Sequence, residues 1–294
     1  MEAPKINGST RVCGLFGYPV EHSFSPAMHN EAFGHLGLNW VYLPFLVHTD
    51  HIKQAVDSIV SLNIVGVNVT VPHKQSVLPF LDELEPAAEL IGAVNTIVNH
   101  HGKLIGYNTD GRGFVQSLAS EANFQPQGKR ATLIGVGGAA RAVAVQLALA
   151  GVKALDITNR NQEKAAALAC QINQAADIAV NIIPWESNEL EQSVATADLV
   201  IQATSLGMAP QVDQVPPFPF QALTPQHLVC DLIYNPDQTR FLREAAAQGS
   251  RTMNGLGMLL YQGVLAFQLW TGLKAPVEIM RQGLQQQLAK IGGC

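Results

Sequence analysis

Residues 132–151, TLIGVGGAARAVAVQLALAG, constrain the fold of this chain more than any other segment. A β-branched apolar run leads into a cluster of glycines, and an alanine-rich stretch with high helix propensity follows. A strand that passes through a glycine turn directly into a helix is typical of a βαβ unit. The segment therefore predicts a parallel α/β layer, in which Gly151 ends the helix.

The glycine turn itself, GVGGAA at residues 135–140, fits the pattern G-x-G-x-x-G/A. Gly135 allows the tight turn, Gly137 lets the backbone approach a pyrophosphate, and Ala140 keeps the helix close to the strand. The pattern alone is weak, but here it follows a strand, opens a helix and precedes a second strand. A dinucleotide site is therefore favoured over a turn that serves only packing.

Charge after the second strand of this unit indicates which dinucleotide binds. No carboxylate occupies residues 158–162, where an acid would bind a ribose 2′-hydroxyl, whereas Arg160 and Lys164 offer positive charge to a 2′-phosphate. NADP is therefore favoured over NAD, the alternative being that both cations are ordinary solvated residues at a helix start. Asp156 is the one contrary residue, and it falls within the strand rather than at its end.

Short β-rich runs alternate with helical patterns along the chain, which is typical of α/β proteins. A length of 294 residues suggests two domains, at roughly 150 residues each. We predict a substrate domain with a mainly parallel sheet at residues 1–112 and a Rossmann-type dinucleotide-binding domain at 113–254. Helices at 255–294 would return to the first domain and leave a cleft between the two domains for the ligand.

The individual elements follow from apolar patterns and turn residues. Strands are expected at 12–16, 40–47, 64–70, 94–98, 131–135, 154–158, 199–203 and 228–232. Helices are expected at 25–36, 52–62, 110–122, 139–150 and 162–175, across the apolar residues 255–272, and after Pro276. The proline-rich residues 209–225 are expected to form a loop, and His100 with His101 the turn of a hairpin.

Two distant segments, NVTVPHK at 68–74 and YNTDGRG at 107–113, each place one ionisable group among neutral polar residues. Asp110 opens a predicted helix, whose dipole favours the carboxylate, and a nearby carboxylate would hold Lys74 as an ammonium. When hydride reduces a ketone, the carbonyl oxygen gains negative charge and needs a proton donor such as Lys74. We therefore predict that Lys74 and Asp110 form one catalytic site rather than a surface ion pair.

Neutral hydrogen-bonding side chains accompany this pair. Ser23 and Ser25, two residues apart before a helix, can bind a ligand carboxylate together with amides at the helix start, unless Ser25 only caps the helix. Four further residues are expected at strand ends and suit a polyhydroxylated ligand: Asn68, Thr70, Asn95 and Asn108.

Composition excludes several other functions. A net charge of −5, with 18 Lys and Arg residues scattered singly, disfavours nucleic acid as a partner. No window approaches the roughly 18 apolar residues of a membrane span. The cysteines and histidines form no metal motif, so no metal is expected, and four widely separated cysteines favour a reducing, cytoplasmic setting. They are Cys13, Cys170, Cys230 and Cys294.

Nine motifs, found in order over nearly the whole chain, together resemble those of shikimate dehydrogenases. They are HSFSPAMHN, NVTVPHK, GAVNT, GYNTDGRG, GVGGAARA, TNR, ATSLGM, DLIYNP and NGLGMLLYQ. The resemblance implies NADP-dependent reduction of 3-dehydroshikimate to shikimate in aromatic amino acid biosynthesis, with Lys74 and Asp110 as the acid–base pair. It also implies a possible homodimer formed through the substrate domain.

The resemblance further implies a set of ligand-binding residues. For the substrate these are Ser23, Ser25, Asn68, Thr70, Lys74, Asn95, Asp110, Tyr234 and Gln262. For NADP they are Gly135, Val136, Gly137, Gly138, Ala139, Asn159, Arg160, Lys164, Leu232 and Gly255.

Three residues depart from the usual family pattern: Asn161, Lys164 and Gln202. Lys164 bears on the 2′-phosphate clamp, because lysine offers a point charge where arginine offers a fork. Two alternatives stay open, a quinate/shikimate dehydrogenase with relaxed substrate and NAD use, and a non-catalytic relative that binds nucleotide. The second should lack Lys74 or Asp110, and both are present.

Overall fold

The backbone divides into two units, each built on its own six-stranded sheet. The computed structural model describes residues 6–292, so Cys294 and the outer ends of the expected domain ranges lie outside the described residues. The first unit ends at Thr109 and resumes at Leu260, and the second runs from Asp110 to Leu259. The predicted fold class of two α/β domains is confirmed.

Within the described residues the elements are named in chain order. The strands are β1 (Arg11–Gly17), β2 (Trp40–Leu46), β3 (Gly66–Val69), β4 (Glu83–Leu84), β5 (Thr96–His100), β6 (Lys103–Tyr107), β7 (Arg130–Ile134), β8 (Ala154–Thr158), β9 (Ala179–Ile183), β10 (Leu199–Gln202), β11 (Leu228–Asp231) and β12 (Arg251–Met253). The helices are α1 (Ser25–His35), α2 (Ile52–Ser61), α3 (Pro86–Ile91), α4 (Asp110–Ala122), α5 (Gly138–Leu149), α6 (Gln162–Ala175), α7 (Asn188–Thr196), α8 (Arg240–Ala247), α9 (Leu256–Thr271) and α10 (Val277–Gly292).

The sheet of the first unit has the order β2-β1-β3-β5-β6-β4 and is mainly parallel. Strands β2, β1 and β3 run parallel, whereas β5 pairs antiparallel with both β3 and β6. The hairpin between β5 and β6 turns at His101 and Gly102, which both have positive φ, as a tight hairpin turn requires. The expected turn at His100 and His101 was therefore wrong by one position, because His100 still pairs within β5.

The C-terminal helices belong to the first unit from Leu260 onward. Helix α10 packs against α1, and the indole nitrogen of Trp270 on α9 donates to the Ile97 carbonyl of β5 at 3.1 Å. The apolar character of α9 thus matches a helix that is buried along most of its length.

The sheet of the second unit is parallel throughout, in the order β12-β11-β10-β7-β8-β9. Strand order reverses beside β7, which is the doubly wound arrangement of dinucleotide-binding folds. Helix α4 packs against α5, so its first residue already belongs to this unit, whereas the sequence placed the domain limit at 112. Gly151 has a φ of 79°, as a glycine that ends α5 requires.

Several short elements were not predicted from the sequence: β4, α3, β9, α7, α8 and β12. Strand β9 lies at a sheet edge, and its residues are exposed or half-buried although four of the five are apolar. The strand expected at 64–70 is shorter, Gly66–Val69, although the amides of Val65 and Thr70 on either side still donate to carbonyls of β1. Residues 209–225 are irregular as expected, apart from a short 3₁₀ turn at Phe220–Ala222.

Candidate active site

The carboxyl ends of β1 and β3 and the start of β5 gather polar residues in the first unit. The Thr70 amide donates to the Phe16 carbonyl at 2.9 Å, at the end of β1. The Val69 amide donates to the Asn95 carbonyl and the Val94 amide to the Lys74 carbonyl, both at 2.8 Å. The structure therefore brings the backbones of Thr70, Lys74 and Asn95 together at one edge of the sheet.

A chain of buried side-chain hydrogen bonds lies behind these residues. The Tyr42 hydroxyl donates to Asn68 Oδ1 at 2.8 Å, and Asn68 Nδ2 donates to Thr96 Oγ1 at 3.0 Å. Thr96 Oγ1 donates to Asn95 Oδ1 at 3.2 Å, and Asn95 Nδ2 donates to Thr109 Oγ1 at 2.9 Å. All five side chains are buried, and none carries a formal charge. We call these five residues the polar relay.

The relay also fixes the backbone just before Asp110. The Thr109 amide donates to Asn95 Oδ1 at 2.7 Å, and Asn108 Nδ2 donates to the Ala93 carbonyl at 3.0 Å. Asp110 follows directly as the first residue of α4, with its side chain buried. Because Asp110 belongs to the second unit and Lys74 to the first, their pairing stays a prediction.

Ser23 and Ser25 stand at the start of α1. Phe24 is the N-cap residue and makes no side-chain capping bond, and the hydroxyl of Ser23 accepts from the Ser25 amide at 3.3 Å. The alternative that Ser25 caps the helix is therefore wrong, because Ser25 is already its first residue. Burial raises the pKa of Tyr42, and Ser25 opposes this rise.

His29 of α1 is buried against the relay and is held neutral. Its ring stacks on Tyr42 with centroids 4.5 Å apart, and burial lowers its pKa to about 3. The unfolded chain takes up this proton near pH 6.5, whereas the folded protein resists protonation until about pH 3. Stability contributed by neutral His29 is therefore present above about pH 6.5 and is lost as the pH falls towards 3.

A His29→Phe variant tests this linkage, because it keeps an aromatic ring against Tyr42 and removes the titrating group. We expect the wild type to lose about 2 kcal/mol more unfolding free energy than the variant between about pH 7 and pH 5. Urea unfolding at both pH values measures the difference, and His100→Phe at an exposed position is the control. Equal acid sensitivity of wild type and His29→Phe would contradict a buried neutral imidazole.

The glycine turn of the second unit lies between β7 and α5. Gly135 has a φ of 97°, and Gly137 is the N-cap of α5 without a side-chain capping bond. A Cβ built on Gly137 or Gly138 would meet no other atom within 4 Å, whereas Ala140 is fully buried. The backbone at the start of α5 is therefore open to a pyrophosphate, and the residues present fit a dinucleotide.

The end of β8 carries the cationic residues. Arg160 and Lys164 are exposed, and Asn161 caps α6 by accepting from the Lys164 amide at 2.9 Å. Asn159 Nδ2 donates to the Asn161 carbonyl at 2.7 Å. The contrary residue Asp156 accepts from Asn181 Nδ2 of β9 at 2.7 Å, so its carboxylate is engaged inside the sheet.

Leu232, after β11, and Gly255, after β12, lie side by side. The Gly255 amide donates to the Ile233 carbonyl at 2.9 Å, and a Cβ on Gly255 would clash with the Leu232 carbonyl. Tyr234, two residues after Leu232, is half-buried, and burial raises its pKa. Gln262 is buried on the part of α9 that belongs to the first unit.

Asp231, the last residue of β11, holds the segment that follows this strand, and the sequence alone assigned it no role. Its carboxylate accepts from Thr239 Oγ1 at 2.7 Å, from the Ile233 amide at 3.0 Å and from Gln202 Nε2 at 3.2 Å. Burial raises the pKa of Asp231 to about 6, although these three hydrogen bonds lower it. Gln202, a departure from the family pattern, therefore ties the end of β10 to the end of β11.

Among the described residues, no His, Cys, Asp and Glu side chains gather in threes as a metal site would require. None of the helices in residues 6–292 combines the length and apolarity needed to cross a bilayer.

Three family models match separate parts of the chain. Residues 15–97 match a shikimate dehydrogenase substrate binding domain, and residues 117–210 match shikimate / quinate 5-dehydrogenase. Residues 255–285 match a shikimate 5′-dehydrogenase C-terminal domain.

Full-length relatives agree with these models. The shikimate dehydrogenase (NADP(+)) of Desulforamulus reducens is 68% identical over 97% of this chain and 98% of its own length. The protein of the same name from Methanopyrus kandleri is 46% identical over 96% of this chain and 98% of its own length. A crystal structure of shikimate 5-dehydrogenase from Listeria monocytogenes holds shikimate and NAD. That protein is 40% identical to this chain, and its structure has a TM-score of 0.92 over 95% of this chain and 98% of its own.

Proposed function

Because this chain belongs to the shikimate dehydrogenase family, we propose that it catalyses the reversible NADPH-dependent reduction of 3-dehydroshikimate to shikimate. This reaction is a step of aromatic amino acid biosynthesis. The observation that carries the proposal is 68% identity over nearly the full length to a shikimate dehydrogenase that uses NADP. The polar edge of the first sheet and the glycine turn of the second supply the two kinds of site that such a reaction needs.

NADP is the proposed cofactor, and it supplies the hydride. The open backbone at Gly137 and Gly138 would bind the pyrophosphate at the start of α5. Arg160 and Lys164 would bind the 2′-phosphate, and no carboxylate occupies residues 158–162 to repel it. The other residues proposed to contact the cofactor are Gly135, Val136, Ala139, Asn159, Leu232 and Gly255.

The substrate is proposed to bind through hydrogen bonds of matching chemistry. Ser23 and Ser25 would hold its carboxylate at the start of α1, where the helix amides add donors. Its ring hydroxyls would form hydrogen bonds with neutral and charged side chains. The proposed residues are Asn68, Thr70, Lys74, Asn95, Asp110, Tyr234 and Gln262.

Lys74 and Asp110 are the proposed acid–base pair. In the reduction direction the Lys74 ammonium donates its proton to the ketone oxygen, which becomes the hydroxyl of the product. In the oxidation direction the neutral amine takes the hydroxyl proton. Asp110 stabilises the ammonium and orients it towards the reacting oxygen.

Quinate use with NAD is the second candidate. One matching family model is named for shikimate and quinate together, and the Listeria monocytogenes relative was crystallised with NAD. Arg160 and Lys164 favour NADP in this chain, so we place NAD and quinate second. A homodimer formed through the first unit and a cytoplasmic location are further proposals from the family resemblance.

A steady-state assay tests the proposal directly. Each of shikimate and quinate is combined with NADP or NAD, and formation of the reduced nicotinamide is followed by absorbance. We expect shikimate with NADP to give the highest kcat/KM of the four pairs. Turnover with none of the pairs would contradict the proposal and favour a relative that only binds nucleotide.

A further inference from the structure

Tyr42 contacts Asn68, which is proposed to bind a ring hydroxyl of the substrate. It lies on β2, far in sequence from every other site residue, and its side chain is buried. Its hydroxyl donates to Asn68 Oδ1 at 2.8 Å, on the proposed hydroxyl side of the substrate. Tyr42 is thus the first member of the polar relay.

The hydrogen bonds around Asn68 define which way its amide points. Both Nδ2 protons are used inside the protein, one by the Asn95 carbonyl at 3.2 Å and the other by Thr96 Oγ1 at 3.0 Å. The Tyr42 hydroxyl takes one lone pair of Oδ1, and an amide oxygen has a second lone pair. Asn68 can therefore accept another hydrogen bond but has no proton left to donate.

The surroundings of Tyr42 keep its hydroxyl in this position. Its ring lies parallel to that of His29, within 10° and with centroids 4.5 Å apart, and Trp270 packs nearby at 6.0 Å. Burial raises the pKa of Tyr42, so the hydroxyl retains the proton that it donates to Asn68. Packing thus fixes the ring, and the protonated oxygen fixes the amide.

We propose that Tyr42 is a positioning residue for substrate recognition, which holds the Asn68 amide oxygen ready to accept a hydrogen bond from a ring hydroxyl. This inference rests on the proposed function. It predicts a specificity, because a ring position facing Asn68 must carry a hydroxyl that can donate. A hydrogen atom or an ether at that position would leave the Asn68 oxygen with only its bond from Tyr42.

The test compares Tyr42→Phe with wild type on shikimate and on analogues that keep the reacting hydroxyl and each lack one of the other ring hydroxyls. In the wild type, one analogue should lose about tenfold or more in kcat/KM, because a buried acceptor then lacks its partner. In Tyr42→Phe the Asn68 amide keeps its two bonds through Nδ2 but loses the bond that orients Oδ1, so the discrimination between shikimate and that analogue should fall several-fold. The KM for NADP should not change, since the relay lies wholly in the first unit.

The discrimination ratio, which is kcat/KM for shikimate divided by kcat/KM for the analogue, distinguishes a positioning role of Tyr42 from a role in packing alone. A general loosening of the packing would lower kcat/KM for shikimate and for the analogue by the same factor. The ratio would then stay as in wild type, and this result would overturn the proposal. Thr96→Val, which removes the acceptor of an Asn68 proton, should lower the same ratio and decides the matter should Tyr42→Phe fail to fold. Tyr107→Phe, on β6 of the same unit, is the matched control and should keep the wild-type ratio. Wild type inactive on shikimate would instead refute the proposed function.

Discussion

Replacing Lys74 by methionine is expected to lower kcat for shikimate oxidation by about 10²- to 10⁴-fold, the usual effect of a lost general acid–base group. Methionine keeps most of the side-chain length but cannot take a proton from the hydroxyl or return one to the ketone. The affinity for NADP should stay nearly unchanged, because the glycine turn and the cationic residues lie in the other unit. Steady-state kinetics together with a fluorescence titration of NADPH measure both quantities.

Lys53→Met is the matched control for this variant. Lys53 lies in the same unit on α2, is exposed, and forms a surface ion pair with Asp57 at 2.7 Å. Its loss should leave kcat unchanged, because Lys53 is not among the proposed site residues. The fold should also be kept, because an exposed ion pair contributes little to stability. If Lys74→Met turned over shikimate at the wild-type rate, Lys74 would have no part in the reaction.

The proposed pairing of Lys74 with Asp110 has its own test. Two groups that act as one unit give non-additive losses, so the double variant Lys74→Met with Asp110→Asn should lose no more kcat than the more impaired single variant. Independent roles would multiply the two losses. The comparison needs only kcat values and does not depend on the distance between the side chains.

The sequence predicted the dinucleotide unit best where local signals agree with tertiary structure. Strand β8 and helix α6 have the predicted bounds, because a buried apolar run is followed by Asn161, which caps α6. Helix α7 was missed because it is mostly polar, and the edge strand β9 was missed because Asn181 interrupts its short apolar run.

The residues of the candidate site differ in how far the sequence indicates them. Lys74 and Asp110 stand in segments whose polar residues and turns are visible in the sequence. Tyr42 was not found, because its role comes from strand pairing: β1 lies between β2 and β3 and thereby sets Tyr42 within reach of Asn68. A buried tyrosine in an apolar strand is indistinguishable, in sequence, from an ordinary core residue.

Arg160→Ser is expected to raise the KM for NADP by about 10- to 100-fold and to change the KM for NAD little, since hydrogen bonds between charged groups are the strong ones. Arg160 is exposed just after β8, where the 2′-phosphate would lie, and its guanidinium can bind two phosphate oxygens at once. Lys164→Ser should have the smaller effect, because an ammonium acts as a point charge. Initial rates over a range of both cofactors give the two KM values.

Lys153→Ser is the control, because Lys153 is an exposed cation of the same unit that precedes β8 instead of following it. It should leave the ratio of the two KM values unchanged, which excludes a general effect of net charge. The ratio in Arg160→Ser also distinguishes two positions for the arginine. If KM rises for NADP alone, the guanidinium binds the 2′-phosphate. If KM rises equally for NADP and NAD, the guanidinium binds a part that both cofactors share. The second result would remove the physical basis for the NADP preference.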